Sequence, residues 1–194
     1  MWILIPAKSA TRAKSRLSPV LDNQKRTVLA KLLLLRLLTM MTALDGITGV
    51  VVISADSELR AIAHLFGYHS VPDPKPDLNA SLEAGRQYVL AQGAESLLVL
   101  PTDLPKLSRQ AMTHFLDHTK PPGPRIVIAH DQSRQGTNAL FLRPANAIPF
   151  RFGINSGPIH RALATQAGIP LIEVRDPALA FDLDWPEDWA HLTA

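Results

Sequence analysis

Asp103 stands behind a run of aliphatic residues, Leu97-Leu98-Val99-Leu100, and a proline, so a buried strand is predicted to end by presenting one carboxylate. In open α/β sheets, ligands gather just beyond the carboxyl ends of the strands. An aspartate there suits a divalent cation held against phosphate oxygens. A second acidic group, Asp182-Leu183-Asp184 with Pro186-Glu187-Asp188 after it, follows another apolar strand near the C-terminus. Each aspartate taken alone also reads as a turn or helix cap. Two such tips together predict a metal-dependent phosphoryl or nucleotidyl transfer site, with Asp103, Asp182 and Asp184 as the candidate ligands.

Cations supply the complementary half. Lys8, Arg12, Lys14 and Arg16 fall within nine residues after the first apolar run, Trp2–Ile5. Lysine clamps phosphate as a point charge and arginine as a planar fork, so this loop is a candidate polyphosphate site. The chain holds neither Gly-x-x-x-x-Gly-Lys-Ser/Thr nor Gly-x-Gly-x-x-Gly, which excludes a Walker-type loop and argues against nicotinamide or flavin. Further on, Leu78, Asn79 and Ser81 open a predicted helix whose first N–H groups attract anions or polar ligand edges, and Asn79 also reads as a plain N-cap that needs no ligand. Gly136-Thr137-Asn138 is a polar turn between strands. Phe152-Gly153-Ile154-Asn155-Ser156 is a glycine-bearing turn that delivers Ser156 and backbone N–H groups into a helix start, a phosphate cradle. His160, one helical turn after Ser156, could face the same ligand, although a lone histidine is more often a structural or surface residue.

The elements that must position these residues alternate strand and helix from the N-terminus. Strands are predicted at 2–5, 50–54, 68–71 and 96–100, and helices at 22–44, 56–66, 78–92 and 108–118. That rhythm is a doubly wound, mainly parallel α/β sheet. After residue 125 it changes: 125–129 and 139–142 read as strands with no room for a crossover helix, so they should pair antiparallel. A helix at 155–167, a strand at 169–174 and a terminal helix at 186–192 complete the chain. The long helix at 22–44 carries leucines on more than one face, so it should be covered on two sides, by the core or by a second copy of the chain.

Bulk properties narrow the partners. At 194 residues, 46% hydrophobic and 19% charged, the chain suits one domain, residues 1–194, with a sizeable core. The net charge is +3, with the cations spread out, which fits a small anionic ligand better than nucleic acid. The absence of cysteine excludes disulfides, thiolate zinc sites and thiol nucleophiles. Trp2–Ile5 is too short for a signal-peptide core, and Lys31 and Arg36 interrupt the leucine-rich stretch well below the ~20 apolar residues a membrane span needs. A soluble, cytoplasmic protein is expected.

In this order and spacing, several pieces resemble the 2-phospholactate guanylyltransferase family, which includes phosphoenolpyruvate and 3-phosphoglycerate guanylyltransferases and makes an activated phosphoester for coenzyme F-420. They are Ala13-Lys14-Ser15-Arg16-Leu17, Leu78-Asn79-Ala80, Asp103-Leu104-Pro105, Gly136-Thr137-Asn138-Ala139-Leu140, Phe152-Gly153 with Ser156 and His160, and Asp182-Leu183-Asp184 with Pro186-Glu187-Asp188. The resemblance implies a nucleotidyltransferase fold of the nucleotide-diphospho-sugar transferase kind. It implies Mg2+ on Asp103, Asp182 and Asp184, catalytic roles for Asp103 and Lys14, and GTP phosphates on Lys8, Arg12, Lys14 and Arg16. The helix start at Leu78, Asn79 and Ser81 would meet the rest of GTP. Thr137, Asn138, Gly153, Ser156 and His160 would bind the phospho-acid. Ser9, Ala10, Thr11 and Ala13 stand where the wider superfamily has a glycine-rich loop, and Trp185 where a small hydroxyl residue is common. A cytidylyl- or molybdopterin-type transferase, or a non-catalytic phosphoester-binding domain, would share many of these features.

Overall fold

A computed structural model describes residues 1–9, 14–73 and 77–193. Seven strands form one sheet: β1 (Trp2–Pro6), β2 (Gly49–Ser54), β3 (His69–Pro72), β4 (Leu97–Val99), β5 (Arg125–Ala129), β6 (Ala139–Arg143) and β7 (Leu171–Val174). Their spatial order is β3-β2-β1-β4-β6-β5-β7. The first four run parallel, as the alternating rhythm predicts. β6 is antiparallel to both β4 and β5, and β7 returns parallel to β5.

Strand side chains point alternately to opposite faces, and here both faces are covered. Ile3, Ile5, Val50, Val52, Leu98 and Phe141 meet one core under helices α1 (Asn23–Met41), α2 (Ser57–Leu65) and α4 (Arg109–Asp117). Trp2, Leu4, Val51, Ile53, Val99 and Leu140 meet the other under α3 (Leu78–Ala91) and α5 (Ser156–Gln166). Contact is close enough at Gly85 of α3 that an added Cβ would lie 2.4 Å from the end of Ile53.

The expected double covering of α1 is met within the chain itself. Leu34, Leu37, Leu38 and Met41 pack on the sheet. Leu33 packs elsewhere, with Leu17, Leu21 and Leu183, beside Trp189 and Leu192 of the terminal helix α7 (Pro186–Thr193). This small cluster seats the cationic N-terminal segment against the acidic C-terminal one. Val28 and Leu32 of α1 remain exposed.

Two local features differ from the sequence reading. A turn of 3-10 helix covers Ser15–Leu17, with Lys14 before it in the left-handed region at φ 54°. A single helical turn, α6 (Pro177–Ala180), separates β7 from Asp182, so the second acidic group does not sit at a strand tip. Among the described residues, no helix is long and apolar enough to cross a membrane.

Candidate functional site

The parallel strands change direction of winding between β1 and β4, and the site lies at their carboxyl ends. Asp103 follows β4 by a short loop. Two contacts hold that loop: the Arg36 guanidinium of α1 donates to the carbonyls of Leu104 and Leu107, and the Asp103 carbonyl accepts the N–H of Leu183 at 2.9 Å. The second contact registers the two acidic segments directly. Asp188, at the start of α7, fixes the far side by accepting the N–H groups of Asp184 and Trp185 on Oδ2 at 2.9 and 2.7 Å.

Lys14 closes this arrangement. Its side chain is only 8% exposed, and its Nζ donates to the Leu183 carbonyl at 2.7 Å while lying 3.3 Å from Asp103 Oδ2 and 3.4 Å from Asp184 Oδ1. Arg16 takes the other oxygen of Asp184 at 2.9 Å, its guanidinium 4.6 Å from the centre of the Trp185 ring. The three candidate metal ligands are therefore not gathered into one set. Among the described residues, no group of three His, Cys, Asp or Glu is placed to hold a metal ion. Two cations already occupy Asp184. Asp182 stands apart from them: burial, and then the charges of Asp103 and Asp184, push its carboxyl up to about 6. A divalent cation beside Asp103 and Asp182 would relieve that repulsion.

Two cavities meet here. One, of about 200 Å³, is lined by Asp103, Asp182, Thr137, Asn138, Gly153 and Ser156 among others. The other, of about 150 Å³, is lined by Lys8, Lys14, Asp184 and the apolar Leu33 and Leu59 among others. Asp103 and Leu78 belong to both walls. One cavity offers hydroxyls and an amide; the other offers ammonium groups over an apolar floor.

Asp131, which the sequence did not single out, folds the turn that carries Thr137. Its Oδ1 accepts the N–H groups of Gln135 and Gly136, and its Oδ2 the hydroxyl of Ser133. An aspartate opening a Ser- and Gly-bearing loop was the available signal. Asn138 anchors the same turn by donating to the carbonyls of Leu179 and Ala180. At the start of α5 part of the expected backbone cradle is turned inward. The N–H of Ser156 donates to Gly153, that of Gly157 to Gln135, and Pro158 has none. What Ser156 can bring to the cavity is its hydroxyl.

Three other residues are placed differently from expectation. The amide of Asn79 clasps the Phe152 backbone, accepting its N–H at 2.8 Å and donating to its carbonyl at 3.0 Å. Asp77, not Asn79, caps α3. Ser81 is buried and bonded to Asp73 and the Asp77 carbonyl, so it does not line either cavity. His160 is fully buried, bridges Thr137 and the Arg151 N–H, and lines neither cavity. Burial, and then the charges of His130 and Arg151, lower its pKa to about 4. Arg12 lies outside the described residues.

The family model described as "Guanylyl transferase CofC like" matches residues 1–193. The chain belongs to this family. A phosphoenolpyruvate guanylyltransferase of Rubrobacter xylanophilus is 39% identical over 194 residues, covering 100% of this chain and 94% of that one. A 3-phospho-D-glycerate guanylyltransferase of Colwellia psychrerythraea is 30% identical, covering 96% and 84%. The guanylyltransferase family thus contains this chain over its whole length. Its fold is that of a putative nucleotide-diphospho-sugar transferase from Desulfovibrio desulfuricans, with a TM-score of 0.77 at 16% identity, covering 98% of this chain and 85% of that one. It is also that of a glucosyl-3-phosphoglycerate synthase from Mycobacterium tuberculosis, solved with Mn2+, uridine diphosphate and phosphoglyceric acid. That likeness has a TM-score of 0.61 at 11% identity and covers 98% and 72%.

Proposed function

We propose that this guanylyltransferase transfers GMP from GTP to the phosphate of a small phospho-carboxylic acid and releases pyrophosphate. The observation that carries the reading is the position of Asp103 in the wall common to both cavities. Two substrates seated on either side of that carboxylate would meet at it. GTP suits the cavity with Lys8 and Lys14, where ammonium groups face the triphosphate and Leu33, Leu59 and Leu78 offer apolar surface. The phospho-acid suits the cavity with Thr137, Asn138 and Ser156. The names of the relatives favour phosphoenolpyruvate over 3-phosphoglycerate and 2-phospholactate as acceptor.

In the reaction, an oxygen of the acceptor phosphate attacks the α-phosphorus of GTP. The bond from that phosphorus to the bridging oxygen breaks, and pyrophosphate leaves with the electron pair. A phosphate monoester loses its second proton near pH ~6, so the nucleophile is already ionised and needs no side-chain base. The obstacle is repulsion between two anions. Lys14 would neutralise charge as it develops, and the two cavity walls would hold the partners in line. Asp103 and Asp182 are the carboxylates that would hold Mg2+, which takes one or two carboxylates together with phosphate oxygens and water. When bound, the ion would supply Lewis-acid neutralisation at the α-phosphate. GTP as co-substrate implies a cytoplasmic setting. The guanylylated product would enter coenzyme F-420 synthesis.

The test is pyrophosphate release by the purified protein with GTP, Mg2+ and each phospho-acid in turn. Acceptor-dependent release is expected, fastest with phosphoenolpyruvate. Release with CTP exceeding that with GTP would favour a cytidylyltransferase, and ligand binding without release a non-catalytic domain.

A further inference from the structure

His160 sits on the second turn of α5, with none of its surface exposed and both ring nitrogens engaged. The backbone N–H of Arg151 donates to Nε2 at 3.1 Å, so Nε2 carries the lone pair. A neutral imidazole has a single N–H, which therefore lies on Nδ1. Nδ1 is 3.1 Å from Thr137 Oγ1, and the ring must be the donor in that bond. The Thr137 oxygen accepts, and its own hydrogen is left to point elsewhere. Among the described residues none accepts from it, and Thr137 lines the cavity beside Asp103.

We propose that His160 is a positioning residue for the acceptor. By donating from Nδ1 it aims the Thr137 hydroxyl into the cavity as a donor, matched to a ligand group that only accepts, a carboxylate or phosphate oxygen. A lone hydroxyl would rotate through every position; this one has a lone pair committed to the ring, so its proton is kept off the ring and freed for the cavity side. The same ring holds the backbone at Arg151, and the edge of its contact with Phe152 is 5.1 Å between ring centres. One imidazole thus ties the turn carrying Thr137 to the segment carrying Gly153. Because burial keeps the ring neutral well below pH 7, the tautomer and its direction are stable in working conditions.

The inference rests on the reading that this cavity holds the phospho-acid, and its test separates the two. An asparagine at 160 can place an amide N–H where Nδ1–H stood; a glutamine reaches the Nε2 position and keeps the acceptor for Arg151. The expected result is that His160→Gln raises the KM for phosphoenolpyruvate about tenfold, with kcat and the KM for GTP within about twofold. His160→Asn should stay near wild type for the acceptor. His160→Gln should add nothing in a Thr137→Val background, since both remove the same donated bond. Equal losses in the two His160 variants, or additivity with Thr137→Val, would mean a packing role and overturn the proposal. Nitrogen NMR of the wild-type imidazole provides a check that needs no variant: a proton on Nδ1 is required, and one on Nε2 would refute it. If the wild-type protein releases no pyrophosphate with any phospho-acid, the functional reading fails, while the NMR result still decides the hydroxyl's direction.

Discussion

The ammonium of Lys14 lies 3.3 Å from Asp103 Oδ2 and 2.7 Å from the Leu183 carbonyl, so one cation serves both acidic segments. A backbone bond from Leu183 N–H to the Asp103 carbonyl runs alongside it. The convergence of the two carboxylate groups is therefore built from a strand loop, a C-terminal turn and a lysine in a left-handed conformation.

Replacing Lys14 by methionine keeps the stem and removes the charge. Asp103 and Asp184 then lose their shared counterion. Turnover is expected to fall at least ~100-fold, the scale of losing one charge-stabilising donor. Stability should fall by only ~1–2 kcal/mol, since both carboxylates are about a third exposed and water replaces part of the interaction. Pyrophosphate release and urea unfolding measure the two quantities. A Lys14→Met protein with near-native turnover would show that the ammonium is only structural.

Asp103 and Asp184 should behave differently when each is made asparagine. Asp103 borders both cavities, so Asp103→Asn is expected to cut kcat by about 1,000-fold at any magnesium concentration. Asp184 is held by Lys14 and Arg16, and Asp184→Asn should cost about tenfold, together with a lower Tm. Magnesium titrations of both variants give the order. A larger loss at Asp184 would move the metal-bearing role to that residue.

Asn79 offers a sharper separation between substrates. Its two bonds to the Phe152 backbone stabilise the loop bearing Gly153 and Ser156. Asn79→Ala should destabilise the protein by ~1–3 kcal/mol and raise the KM for the phospho-acid with little change for GTP. Steady-state kinetics with each substrate varied in turn decides the matter. A rise confined to GTP would place Asn79 at the nucleotide after all.

Much of this site was legible in the sequence because it depends on local signals. An aliphatic run followed by Pro101 and Asp103 reads as a buried strand that ends by presenting a carboxylate, even though Asp103 alone also suits a turn or cap. The segment between β5 and β6 is too short for a crossover, so antiparallel pairing followed from chain length alone. Asn79, Ser81 and His160 show where local signals stop. Each is a polar residue in the first two turns of a helix, and each spends hydrogen bonds inward on residues outside its own helix that spacing does not reveal. The same holds for Lys14 and Leu183, whose contact depends on the small Leu17, Leu33 and Leu183 cluster. The single turn α6 was missed because Pro177–Ala180 is too short for any periodicity to appear.

The buried imidazole of His160 also makes folding depend on pH, with a definite sign. Its pKa is lowered from an ordinary 6.5 to about 4, first by burial and then by the charges of His130 and Arg151. Between those two values the unfolded chain takes up a proton that the folded chain refuses, so stability rises with pH across that window. Above pH 6.5 neither state binds the proton and the contribution is complete; below about 4 both states bind it and no further loss follows. The window of about 2.5 pH units corresponds to ~3 kcal/mol of stability lost on acidification. Urea unfolding at pH 7 and pH 4.5 should show most of this difference in the wild type. His160→Asn, which cannot titrate there, should show a shallower dependence by about one proton. Parallel curves for the two proteins would mean that His160 does not stay neutral in the fold, and the direction assigned to the Thr137 hydroxyl would lose its support.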